Sequence, residues 1–234
     1  MRLLIKFSPR EEFSYDDVDK HMIQSVIYSL LRNTKYESIH NIKKFKFFTF
    51  SDIFPPRDFK PNENKNLLIS SPDSDFIKSI GDNLKENPIL RFGNHIIDIQ
   101  EHKMVNPRLK NRFISSSPLV LYKNSRKNIY FSFKRDNDLS FFLERLKDNA
   151  LKKYNAFYST NYELKENIFD RIKLRKEAVV KIRKGSKEFI IIGSVWKLLE
   201  KFDISKNRKF YKFIMDCGLG EKNSLGFGFV NPVR

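Results

Sequence analysis

Cys217-Gly218-Leu219-Gly220-Glu221-Lys222-Asn223-Ser224-Leu225-Gly226-Phe227-Gly228-Phe229-Val230 holds four of the eight glycines in a chain of 234 residues, as two Gly-x-Gly pairs separated by five residues. Glycine lets a backbone take positive φ and brings bare N–H groups close to a ligand. Such a loop, with Lys222 and Asn223 inside it, suits a phosphodiester backbone. A single Gly-x-Gly would equally mark a helix stop or a strand bulge, whereas two pairs at this spacing are more specific. No Gly-Lys-Ser/Thr follows, so the loop does not read as a Walker nucleotide site.

Around this loop, Lys206 to Cys217 reads as the preceding helix and Leu225 to Val230 as the last strand. The chain carries 45 Lys+Arg against 28 Asp+Glu, a net charge of +17, with 14% aromatic residues. A balance so basic points to a polyanionic partner, above all nucleic acid. The single Cys217 forms no intrachain disulfide and no Cys/His cluster has zinc spacing, so a cytoplasmic protein with no metal and no cofactor is expected. No window approaches the roughly 18 apolar residues of a membrane span. The opening Met1-Arg2-Leu3-Leu4-Ile5-Lys6-Phe7 reads as a first strand, too short for a signal peptide.

In chain order, a strand over 2–8 is followed by a helix of roughly 17–33, capped by Asp16-Asp17 and carrying Val18, Met22, Ile23, Val26, Ile27, Leu30 and Leu31 on one face. His21, Gln24, Tyr28, Arg32 and Lys35 fall on the opposite side. A loop over 33–41 contains His40, and Phe45 to Phe50 reads as a strand. Strand 67–69, a helix over 74–87 closed by Pro88, and a strand from His95 to about 105 complete the ferredoxin-like order strand, helix, strand, strand, helix, strand. In the second half, Pro118–Leu121 and Ile129–Phe133 read as strands and Leu139–Phe157 as a helix. Between Ile168 and Arg183, Ile172, Leu174, Val180 and Ile182 alternate with Lys173, Arg175, Lys181 and Arg183, which predicts one apolar and one strongly basic strand face. Lys184-Gly185-Ser186 reads as the turn into Phe189–Ile192. The expected fold is α+β, with two tandem ferredoxin-like domains over 1–110 and 111–234 and antiparallel sheets.

The glycine run closely resembles the C-terminal loop of the Cas6 family, the CRISPR-associated endoribonucleases of the repeat-associated mysterious protein superfamily. The family pattern is glycine, hydrophobic, glycine, five residues, glycine, hydrophobic, glycine, and Gly218, Gly220, Gly226 and Gly228 meet every position. The resemblance implies the same tandem fold, CRISPR repeat RNA as partner, and cleavage of precursor CRISPR RNA into guide RNAs for an interference complex. The products would carry a 2′,3′-cyclic phosphate or 3′-phosphate and a 5′-hydroxyl. A non-catalytic RNA-binding subunit of that complex is the alternative, and monomer and homodimer both stay open.

Metal-independent RNA cleavage needs a base near the 2′-hydroxyl, an acid near the 5′ leaving oxygen, and groups that stabilise the phosphorane. Histidine is the natural proton-transfer residue. The four histidines are His21, His40, His95 and His102. His40 lies among Lys35, Lys43, Lys44 and Lys46, where a phosphate would be expected. The resemblance implies a catalytic histidine in this loop, a lysine six residues later and a tyrosine on the first helix: His40, Lys46 and Tyr28, with Tyr36 in reserve. His21 is a second proton-transfer candidate or simply exposed, and His95 and His102 read as structural. No paired Asp/Glu cluster suggests a two-metal nuclease. RNA binding is assigned to Gly218, Gly220, Lys222, Asn223, Gly226 and Gly228, and to Lys173, Arg175, Lys181 and Arg183, with Lys176 and Lys184 beside them.

Overall fold

The computed structural model describes residues 1–185 and 187–233. Ser186 of the expected turn, Arg234 and the side chain of Lys184 lie outside the described residues. The elements of the first half are β1 (Arg2–Pro9), α1 (Lys20–Ser29), β2 (Thr49–Phe50), β3 (Lys65–Ser70), α2 (Ser74–Glu86), β4 (Ile89–Phe92) and β5 (His95–Val105). They build an antiparallel sheet in the order β2-β3-β1-β5-β4, the ferredoxin-like arrangement with β4 added at one edge. Leu3, Ile5 and Phe7 alternate into the core under α1 and α2, as a half-buried strand must.

The second half comprises β6 (Arg112–Ser115), β7 (Tyr122–Asn124), β8 (Ile129–Tyr130), α3 (Phe133–Asp136), α4 (Leu139–Tyr158), β9 (Arg171–Lys184), β10 (Lys187–Glu200), α5 (Arg208–Cys217) and β11 (Val230–Val233). The sheet runs β11-β6-β10-β9, so the ferredoxin-like order recurs, with the β7–β8 hairpin and α3 inserted after the first strand. Its core packs Phe142, Leu146 and Tyr154 of α4 against Trp196, Leu199, Phe210 and Phe213. Among the described residues no helix is long and apolar enough to cross a membrane.

Several expected elements shift, each for a local reason. The first helix starts later than Asp16-Asp17: Val18 is extended (φ −106°, ψ 104°), and Asp19 caps α1 by accepting from the N–H groups of His21 and Met22. The strand expected over 45–50 shrinks to Thr49–Phe50, because Phe47 takes φ 49° and leaves the β region. Residues 118–121 make only isolated bridges, Leu119 to Ser194 and Val120 to Glu221, and β6 is the true first strand of the second unit. Ile129–Phe133 divides between β8 and the start of α3. The strand expected from Leu225 begins only at Val230, since Gly226 (φ 78°) and Gly228 (φ 72°) are left-handed.

The basic face of β9 is also not continuous. Val195 pairs with Lys176 and Trp196 with Leu174, so Arg175 is an extra residue on its strand. Such a bulge inverts the alternation, which puts Lys173 on the opposite face of the hairpin from Lys181 and Arg183.

The two halves are joined through the glycine loop. Lys20 of α1 is buried and donates to the carbonyl of Gly226 (2.9 Å) and to Asp52, while Thr49 Oγ1 donates to the carbonyl of Phe227 (3.0 Å). The guanidinium of Arg2, also buried, donates to the carbonyls of Met215 (3.1 Å) and Val230 (2.7 Å) and to Asn231, and lies 4.5 Å from the centroid of the Phe229 ring. The glycines are required by contact as well as by φ. A Cβ on Gly226 would lie 2.2 Å from Phe50 Cε2, one on Gly228 1.8 Å from the carbonyl oxygen of Leu219, and one on Gly220 2.6 Å from that of Val120.

Two outcomes follow from this clasp. Arg2→Met strands buried carbonyls at a cost of about 1–3 kcal/mol each, so thermal unfolding falls by roughly 5–10 °C. Arg10→Met, which removes only the exposed pair with Asp98, moves the midpoint by less than about 2 °C. Gly226→Ala abolishes soluble, cooperatively melting protein or lowers its midpoint by more than about 8 °C, because the Phe50 ring must move. Gly185→Ala, where among the described residues a Cβ would meet nothing within 4 Å beyond its chain neighbours, carries the left-handed φ penalty of about 1 kcal/mol.

Candidate active site

The buried stripe of α4 explains how the glycine loop is held. Phe142, Leu146, Asn149, Ala150 and Lys153 recur at helical spacing on the face turned inward. Lys153 therefore enters the protein beneath the loop, where its Nζ donates to the carbonyls of Gly218 (2.6 Å) and Gly220 (3.0 Å) and to Asn223 Oδ1 (2.7 Å). Burial lowers its pKa, and the carboxylate of Glu221 works in the opposite direction. Asn223 in turn donates to the carbonyls of Leu219 and Phe227, both at 3.0 Å.

This network changes what the loop offers a ligand. The N–H groups of Gly218, Gly226 and Gly228 are committed to the carbonyls of Ile214, Asn223 and Pro118 at 3.0, 2.8 and 2.8 Å. All four glycines and Asn223 are buried, while Glu221, Lys222, Ser224 and Leu225 remain half-buried at the surface. Lys222 Nζ lies 5.4 and 5.7 Å from the centroids of the stacked Tyr122 and Tyr130 rings. Lys20, Lys153 and Ser224 were not singled out from the sequence. The available signal for Lys153 was its place on the apolar stripe of α4.

Next to the loop, Tyr28, His40 and Lys46 come together. Lys46 Nζ donates to the Tyr28 hydroxyl (3.0 Å) and to the backbone carbonyl of His40 (2.9 Å), and the Tyr28 and His40 ring centroids are 6.0 Å apart. The left-handed turn at Phe47 frees Lys46 from any strand, so its ammonium group can lie 5.1 Å from the Tyr28 ring centroid. His40 is exposed at the end of a 3-10 turn over Glu37–Asn41, with Nδ1 3.2 Å from the carbonyl of Glu37. Burial pushes the Tyr28 phenol up to about 12, and a hydrogen bond with the Ser224 side chain counteracts part of that rise. Burial also lowers the pKa of Lys46. Gln24, one turn before Tyr28, donates to the carbonyl of Ser224 (2.6 Å) and so ties the loop to this face of α1.

The reserve residue Tyr36 lies elsewhere, donating to Asp73 (2.7 Å) at the start of α2. His21 lines a separate groove between α1 and β4. His95 stacks on Phe13 and meets Glu11 at 2.9 Å, and His102 pairs with Ile5 in the sheet.

A bay of about 410 Å³ opens beside the three residues, walled by segment 42–48, by one face of α4 (Arg145, Asp148, Asn149, Lys152, Lys153) and by residues 220–224 of the loop. Seven cations and two carboxylates line it, and both carboxylates, Asp148 and Glu221, lie 3.3 Å from the Arg145 guanidinium. The field there favours a phosphate. A second cleft, between α1 and β9, is lined by Arg175, Lys176, Lys181 and Arg183, with Asp16, Asp19 and Asp52 opposite. Lys173 is exposed on the other face of the hairpin, so the four strand cations do not form one surface with the trio.

Residues 99–232 match the family model described as CRISPR associated protein Cas6, C-terminal. The chain is 49% identical to the CRISPR-associated endoribonuclease Cas6 2 of Methanocaldococcus jannaschii over 100% of both chains. It is 30% identical to Cas6 1 of the same organism, over 92% of this chain and 86% of that one. A solved structure named CRISPR associated protein Cas6 superposes with a TM-score of 0.72 at 27% identity, covering 100% of this chain and 99% of the other. With the family's glycine pattern complete and the match spanning the whole chain, the protein belongs to the CRISPR-associated Cas6 endoribonuclease family.

Proposed function

We propose that this protein cleaves precursor CRISPR RNA within its repeats, without a metal ion, by attack of a 2′-hydroxyl on the adjacent phosphorus. The observation that carries this reading is the meeting of Tyr28, Lys46 and His40 beside the glycine loop, with Lys46 on the wall of an adjoining bay dominated by positive charge. His40, exposed at the end of its 3-10 turn, takes the 2′-hydroxyl proton as O2′ bonds to phosphorus. The bond to the 5′ oxygen breaks, leaving a 2′,3′-cyclic phosphate, and the departing oxygen takes a proton from the Lys46 ammonium. Burial makes that ammonium a better acid than an ordinary lysine.

Tyr28 has a different task. With its pKa pushed up to about 12 it keeps its proton at neutral pH, and because its oxygen accepts from Lys46, the O–H is free to donate to a non-bridging phosphorane oxygen. Lys43, Lys44, Lys152 and Lys222 of the bay hold the flanking phosphates. The hairpin cations Lys181 and Arg183 extend the RNA path along the second cleft, giving affinity that falls as salt rises. The product is a guide RNA for an interference complex.

The test is cleavage of the cognate repeat RNA in EDTA, with a 2′-deoxy substitution at the mapped cut site. Wild-type protein cuts at one position, and the deoxy substrate is inert. His40→Ala lowers the single-turnover rate by about 10²–10⁴-fold, and Tyr28→Phe by about tenfold. Both variants keep repeat affinity within about threefold of wild type. Tight binding with no cleavage by the wild type would overturn the catalytic reading in favour of a non-catalytic RNA-binding subunit, and cleavage that requires added metal would overturn the mechanism.

A further inference from the structure

The bay beside the catalytic trio has two features that phosphate binding does not use. Phe45 projects into it with 39% of its surface exposed, and the Phe45 and Phe47 ring centroids are 6.0 Å apart. A partly exposed phenylalanine on the wall of a cationic bay offers an aromatic face on which an unstacked base can pack. The second feature is Asn149 of α4. It is 8% exposed, lines the bay, and its Oδ1 is buried with no hydrogen-bond partner. A buried acceptor left unpaired costs about 1–3 kcal/mol, so such an atom in a functional cleft calls for a ligand donor. Neighbouring residues of α4 do not supply one: Lys153 is committed to the glycine loop, Arg145 to Asp148 and Glu221, and Lys152 to Asp148.

We propose that this bay is a base-binding subsite: one nucleotide flanking the scissile phosphate is turned out of the RNA strand, its base packs on Phe45, and Asn149 pairs with its edge. At about 410 Å³ the space lies within the range that encloses small organic ligands. Because the unpartnered atom is an acceptor, it takes a donor from the edge of the unpaired base, an exocyclic amino group or a ring N–H, and the same amide's N–H₂ donates to the acceptor beside it. Adenine, cytosine, guanine and uracil each present such a pair when unpaired, so the subsite requires a base rather than one particular base. Lys46 and Arg145 at the rim hold the phosphates on either side. The proposal deepens the cleavage reading above and rests on it for the location of the scissile phosphate.

The test measures equilibrium binding of full-length protein to repeat RNA made non-cleavable by the 2′-deoxy substitution, with an abasic nucleotide placed in turn at each position flanking the cut. At one of the two positions loss of the base weakens binding about tenfold, and Asn149→Leu, of similar volume, and Phe45→Ala each cut that loss to about threefold or less. Folding of both variants is checked by thermal melting. Wild-type affinities within about twofold for intact and abasic RNA at both positions, or the full loss kept by Asn149→Leu, would overturn the subsite. Since no cleavage is needed, a failure of the catalytic reading leaves this readout intact. A wild type that binds no repeat RNA would remove both.

Discussion

Two buried lysines that donate to the carbonyls of a single loop are the constraint on which the rest depends. An ammonium group taken out of water must be met by acceptors or lose its charge. Lys20 meets the carbonyl of Gly226 and Lys153 those of Gly218 and Gly220, so both Gly-x-Gly pairs are fixed by charges arriving from different halves of the chain. Only a backbone without Cβ atoms comes close enough. The glycines are therefore a packing requirement, and what they present to a ligand is the raised arc from Glu221 to Leu225.

That arrangement also places the chemistry. α1 contributes Lys20 to the clasp and Tyr28 to the site, and Gln24 between them holds Ser224. A disturbance of the clasp is thus transmitted to the tyrosine through one helix of three turns. On the other side, α4 sends Lys153 into the loop and presents Asn149 to the bay one turn earlier. Tyr28, through Gln24, and Asn149, through Lys153, are consequently referred to the same backbone, whereas His40 sits on the more exposed 3-10 turn.

Regular elements were legible where their periodicity was long enough. The helices over 74–86 and 139–158, the strand 95–105 and the hairpin strands after 171 all follow from apolar spacing and caps. Short elements escaped for the same reason in reverse. β6 has four residues and β2 two, too few to show a period, and strong apolar runs at 45–50 and 225–229 imitate strands although left-handed residues interrupt them. The bulge at Arg175 was invisible because it depends on the pairing partner, and it divided what alternation alone made one basic face.

The amino-acid sequence by itself determined the fold class, the basic character, the glycine loop and the family, and, through the loop's resemblance, nominated His40, Lys46 and Tyr28. These are properties of local pattern and composition. Only the tertiary structure decided that the N–H groups of Gly218, Gly226 and Gly228 are used internally, that Lys20 and Lys153 are buried clamps, and that Asn149 faces the bay with an acceptor unpaired. The physical reason is that burial and hydrogen bonding are relations between residues up to 229 positions apart, beyond the reach of any local window of sequence.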